Sequence, residues 1–72
     1  MSMGIQRWID VRHVTPCVGN TILIRLENNA GEAEVDAAYL DNQQVFVTFN
    51  GWPMNVWTIT HWMPMPDAEI ER

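Results

Sequence analysis

The chain has 72 residues, nearly half of them hydrophobic, with nine acids against four bases and a formal net charge of −5. One small domain is all that length allows, and at this size folding buries only ~60% of the unfolded surface, so the core needs a supplement. A disulfide within the chain is excluded because Cys17 is the sole cysteine, and the apolar content excludes a disordered tail.

Residues 5–11 form a short mixed segment that reads as a first strand, or a helical turn leading into one. Residues 15–20 hold Pro16 and Gly19 close together and read as an ordered loop. Residues 21–27 alternate, with Ile22, Ile24 and Leu26 on one face and Thr21, Leu23, Arg25 and Glu27 on the other, which predicts a strand. Asn28 to Gly31 tolerate positive φ and suit a hairpin loop.

Residues 32–40 have the Glu and Ala content of a helix but the period of a strand. Ala33, Val35, Ala37 and Tyr39 alternate with Glu34, Asp36 and Ala38, so a half-exposed strand with its acids toward solvent is expected. Residues 41–43 are a turn, and residues 44–49 are β-branched and aromatic strand material. Asn50-Gly51 signals another turn, residues 56–61 a last strand, and Pro64 and Pro66 the end of regular pairing.

The predicted fold is all-β: a small antiparallel meander of four to five strands with little helix. One sheet has one apolar face to cover. It is therefore expected to curl, as a curled sheet or SH3-like partial barrel, or to pack on another copy of itself. Residues 1–66 are read as a single domain and residues 67–72 as a mobile acidic tail. No apolar run approaches the ~20 residues of a membrane span, and no signal-peptide pattern opens the chain.

Charge narrows the partners. Arg7, Arg12, Arg25 and Arg72 are scattered and there is no lysine, so neither a phosphate backbone nor an anionic membrane is an expected partner. Five acids and no base fall between Glu27 and Asp41. They make either a surface aimed at a basic partner or a solvated strand face that keeps the protein soluble. A single unpaired cysteine fits a reducing cytoplasm.

Trp8, Trp52, Trp57 and Trp62 are the most conspicuous cluster, with methionines close to Trp52 and Trp62 in the sequence. Large aromatics fill small cores, yet they also dominate binding surfaces, and at least one is expected at an interface or ligand pocket. His61 is either a ligand contact or a structural group satisfied by the backbone. Cys17 with His13 or His61 lacks the surroundings of a nucleophile. No CxxC or HExxH spacing supports a metal, no glycine-rich phosphate loop is present, and the acids form no recognisable catalytic pair. No enzyme activity, cofactor or metal is expected.

The order of motifs is specific. Trp8-Ile9, Val11, Pro16, Gly19, the run Ile22-Leu23-Ile24, Gly31, and then Thr60-His61-Trp62-Met63-Pro64-Met65-Pro66 follow one another. This resembles a family of short proteins catalogued as a domain of unknown function and found largely in bacteriophages and prophages of enteric and related bacteria. Its members look like Trp-Ile-x-Val at the start, Pro-x-x-Gly before an apolar strand, and Thr-His-Trp-Met-Pro-Leu-Pro at the end. The match spans roughly residues 8–66, with Asp10 where a small polar residue is usual and Met65 where leucine is common.

The resemblance implies a phage- or prophage-encoded protein acting in the bacterial host cytoplasm. Small proteins of that origin often work by binding. The expectation is a homo-oligomer that counteracts a host process, a defence system among the options, in one of two ways. It sequesters a nucleotide-like signal between Trp57, His61 and Trp62, with Arg25 or another arginine for a phosphate, or it blocks a host protein with tryptophan anchors. Trp8, Trp52, Trp57, His61, Trp62 and Arg25 are thus the expected binding residues. The alternative is an accessory protein that docks into a larger phage or host assembly without a ligand.

Overall fold

A computed structural model describes residues 7–65. Five strands form one antiparallel sheet: β1 (Ile9–Asp10), β2 (Ile22–Asn28), β3 (Ala33–Leu40), β4 (Phe46–Thr48) and β5 (Trp57–Pro64). Their spatial order is β1-β5-β2-β3-β4. The all-β antiparallel expectation holds, and no helix occurs among the described residues. The chain is a meander only from β2 to β4, because β5 returns to lie between β1 and β2. The expected tail at residues 67–72 lies outside the described residues.

Paired residues in an antiparallel ladder share a face, so register sorts the side chains. Ile22, Ile24 and Leu26 of β2 stand opposite Ala38, Asp36 and Glu34 of β3, and opposite Pro64, Trp62 and Ile59 of β5. This is the core face: Ile22, Ile24, Leu26, Ala38, Leu40 and Trp62 are buried there, with Ile9, Phe46, Trp57 and Ile59 packed around them.

The sheet stays open and does not curl into a partial barrel. Loops supply the cover that curling was expected to give. Residues 11–21 cross the core face, with Val11 packed on the cluster and Pro16 buried. Trp62 Nε1–H donates to the Val14 carbonyl at 2.8 Å, and Gly19 N–H donates to the Leu40 carbonyl at 2.9 Å, pinning that loop. From the other side Trp52 folds in on the loop between β4 and β5.

The phase of β3 is the reverse of the expected one. Asp36, not Val35, points to the core face, while Val35 is 55% exposed. The pairing decides it, because Ala38 and Leu40 must stand opposite Ile22 and Phe46 to close the core, and period two then carries Asp36 inward. The buried carboxylate is satisfied. It accepts the backbone N–H of Asn50 at 2.9 Å, the Asn50 side-chain amide at 2.7 Å and Trp52 Nε1–H at 2.9 Å.

Two hairpin loops share one construction. Asn28 Oδ1 accepts the N–H groups of Ala30 and Glu32, and Asp41 Oδ1 accepts those of Gln43 and Val45. In each, the fourth residue has positive φ: Gly31 at 85° and Gln44 at 66°. The short side chain at the first position makes the turn, and the left-handed residue brings the second strand back into register.

Candidate functional site

The face opposite the core is the functional candidate, because no part of the described chain is seen to cover it. It carries Leu23, Arg25 and Glu27 from β2; Val35, Ala37 and Tyr39 from β3; Val47 from β4; and Thr58, His61 and Met63 from β5. Leu23, Ala37, Tyr39, Val47 and Met63 are half-buried on it.

A β-bulge shapes the polar end of this face. Arg25 pairs with His61 while the next residue, Leu26, pairs with Ile59, leaving Thr60 as the extra residue. Thr60 Oγ1–H donates to the Arg25 carbonyl at 3.2 Å, and the His61 ring Nδ1 lies 2.8 Å from Thr60 Oγ1. A hydroxyl has one proton. With it directed to the Arg25 carbonyl, the His61 Nδ1–H is the donor to Thr60 Oγ1.

Asp10, His61 and Arg25 then form a row across β1, β5 and β2. Each arginine there has its own carboxylate. Arg12 is bidentate on Asp10, with Nε and Nη2 at 3.0 and 2.8 Å, and Arg25 pairs with Glu27. The hydrogen bonds from Arg12 hold the Asp10 carboxyl far below the ordinary carboxylate range. Asp10, Arg12, Glu27, Thr58, Thr60 and His61 line a cleft of about 410 Å³. Val11 and Ile59 complete its lining, so the cleft is largely apolar, and its charges are locally neutralised, which disfavours capture of a free anion.

The expected binding residues divide between the two faces. Arg25 and His61 meet in the row just described. Trp57 and Trp62 lie on the core face, where Trp62 is buried. Trp52 sits edge-on to Trp57, with ring centroids 4.8 Å apart and planes at 66°, and ties Asp36 to the core. Trp8 is 37% exposed beside β1. Within one chain, then, Trp57, His61 and Trp62 do not line a common pocket. Trp62 does border a second, shallow cleft of about 510 Å³ with Cys17, Asn20 and Met65 on the core side, and Cys17 is exposed. The sequence reading missed Asp36, whose acidic neighbours in the chain gave no signal of burial, and Thr60, whose bulge no local pattern announces. Among the described residues no group of His, Cys, Asp or Glu is placed to hold a metal ion.

The fold is one open five-stranded antiparallel sheet with its core on one face. The chain belongs to the family described as "Protein of unknown function (DUF551)", whose model matches residues 7–69. Comparison with curated proteins and with solved structures gives no match.

Proposed function

We propose that this is a small phage- or prophage-encoded binding protein of the bacterial host cytoplasm, homo-oligomeric and without enzymatic activity, that counteracts a host process by occupying a host protein. Phage origin is supported by the motifs from Trp8-Ile9 to the Thr60-His61-Trp62-Met63-Pro64 ending. The observation that carries the binding mode is the uncovered sheet face, apolar at Leu23, Tyr39, Val47 and Met63 and rimmed by self-neutralised pairs. An apolar centre inside a polar rim is the usual anatomy of a protein-binding surface.

Sequestration of a nucleotide-like signal has less support. It asks for aromatic rings and His61 around one ligand, and the bulge at Thr60 sends His61 to the face opposite Trp57 and Trp62. Accessory docking into a larger assembly would use the same bare face and differs in the identity of the partner.

The test is capture from host lysate by the natural protein and by Leu23→Glu and Met63→Glu variants, with circular dichroism confirming the fold. The reading expects a partner held by the natural chain and lost by both variants. A partner held equally by all three would overturn the assigned face. Native mass spectrometry of gently purified protein adds the other arm: excess mass that disappears on denaturation would favour the sequestration mode.

A further inference from the structure

We propose that β4 is a dimerisation edge, pairing antiparallel with β4 of a second copy about a two-fold axis at Val47, so that two five-stranded sheets become one of ten strands. The inference deepens the homo-oligomer of the proposed function and rests on that part of it.

The two edges of the sheet are unlike. β1 is two residues long and carries the Asp10–Arg12 ion pair, devices that blunt an edge against further pairing. β4 is also short, at three residues, but it carries no ion pair. Between Asp41 and Asp67 the sequence contains no Asp, Glu, Lys or Arg, and no proline falls within residues 42–52. The stretch Val45-Phe-Val-Thr-Phe49 is β-branched and aromatic throughout. Uncharged, strand-forming and unguarded, it is the kind of edge that templates another strand.

The direction of the backbone groups sets the register. Asp41 N–H donates to the Val45 carbonyl and Phe49 N–H donates to the Ala37 carbonyl, so the odd residues of this segment turn their polar groups toward β3. By alternation, Phe46 and Thr48 turn theirs outward, away from the sheet. Two copies satisfy those groups together when Phe46 stands opposite the partner's Thr48 and Thr48 opposite the partner's Phe46. That register places four hydrogen bonds around a symmetric pair at Val47.

The same register resolves a second, independent observation. Val45 and Phe49 are 55% and 60% exposed, and Phe49 is the most exposed large hydrophobic among the described residues. Both share the bare face with Val47, two residues apart on either side of it. In the two-fold pairing Val45 meets the partner's Phe49, and Phe49 meets the partner's Val45, so each exposed apolar side chain covers the other. A contact that uses one patch on both copies is closed and stops at two. No charge from either acidic chain lies in it, so the net negative charge does not oppose it at close range.

Cross-linking reads this register directly. Residues facing each other in a non-hydrogen-bonded antiparallel pair have Cα atoms about 4.5 Å apart, within the span of a disulfide. In a Cys17→Ser background, Val47→Cys should oxidise to a covalent dimer, whereas Tyr39→Cys, one strand further in, should stay monomeric on denaturing gels. As a second variant pair, Val45→Lys/Phe49→Lys and Val45→Asp/Phe49→Asp should each sediment as monomers and should form a heterodimer when mixed. A natural chain that remains monomeric at every concentration would overturn both this edge and the homo-oligomer. A natural dimer that gives no cross-link through Val47→Cys, and survives Val45→Lys/Phe49→Lys, would overturn the edge alone and leave the oligomer standing.

Discussion

Trp52 Nε1–H donates to the Asp36 carboxylate at 2.9 Å, tying the loop between β4 and β5 to the middle of β3. With Asn50 donating twice to the same group, one buried anion organises the return of the chain from the sheet edge. Removing it orphans three donors. Asp36→Ala should therefore lose about 2–4 kcal/mol, more than most single changes, since each unsatisfied buried donor costs ~1–3 kcal/mol. Urea unfolding followed by tryptophan fluorescence measures this, and a loss comparable to an exposed substitution would contradict the role assigned to Asp36.

Acid should act through the same residue. Burial pushes the Asp36 carboxyl upward, but the N–H donors of Asn50, Ala37 and Trp52 together outweigh it, and the net direction is below the ordinary 3.8. A folded-state pKa below the unfolded one gives stability that is complete above the unfolded value and is lost as pH falls through the folded one. Asp10, held down by Arg12, has the same sign. The urea midpoint should be flat with respect to these two groups at neutral pH and should fall once pH drops below about 4. Asp36→Asn should show a shallower acid limb, which a midpoint series across pH records.

The paired hairpin loops give a stabilising prediction. Gln44 holds a φ of 66° in the place where the sister loop has Gly31. A side chain in the left-handed region costs roughly 1 kcal/mol, part of which glycine gives back through the entropy of the unfolded chain. Gln44→Gly should gain about 0.5–1 kcal/mol, a rise of a few degrees in Tm for a domain this small. Gly31→Gln should move Tm down, and differential scanning calorimetry of the pair tests the equivalence.

Trp62 is held at both ends, its rings in the core and its N–H on the Val14 carbonyl. Trp62→Phe keeps most of the apolar area and drops the bond, so a loss of about 1–2 kcal/mol is expected. Released from that tether, residues 11–21 should lose amide protection before the rest of the sheet. Hydrogen exchange distinguishes this from uniform destabilisation.

Much of the sheet is legible in the chain. Alternation around Ile22, Ile24 and Leu26 places a strand with the correct buried face, because that strand is central and both neighbours press on the same side. The strand from Ala33 to Leu40 is recognisable by period, but its phase is not. Apolar Val35 and Ala37 look inward by type, whereas the core contacts of Ala38 and Leu40 lie at the far end and settle the matter from outside the local pattern. The place of β5 is invisible to local reading for a related reason: which strand a segment joins depends on partners far along the chain. The site suffers most. Trp57, His61 and Trp62 are neighbours in sequence and resemble a single pocket, yet the extra residue between Ile59 and His61 puts both tryptophans on the core face and His61 on the other.

That extra residue sets the frame in which β5 is read. Upstream of Thr60 the odd positions Trp57 and Ile59 go to the core, and downstream the even positions Trp62 and Pro64 do. The strand thus reads in two frames joined at one threonine. Deleting Thr60 while keeping Trp62 opposite Ile24 would leave Ile59 opposite Leu26 in unbroken alternation, with every side chain on its present face and only the bulge lost. Deleting Thr58 instead, with regular pairing back from His61, would turn Thr60 inward and Ile59 outward, so which residue is lost between Trp57 and His61 matters more than how many remain.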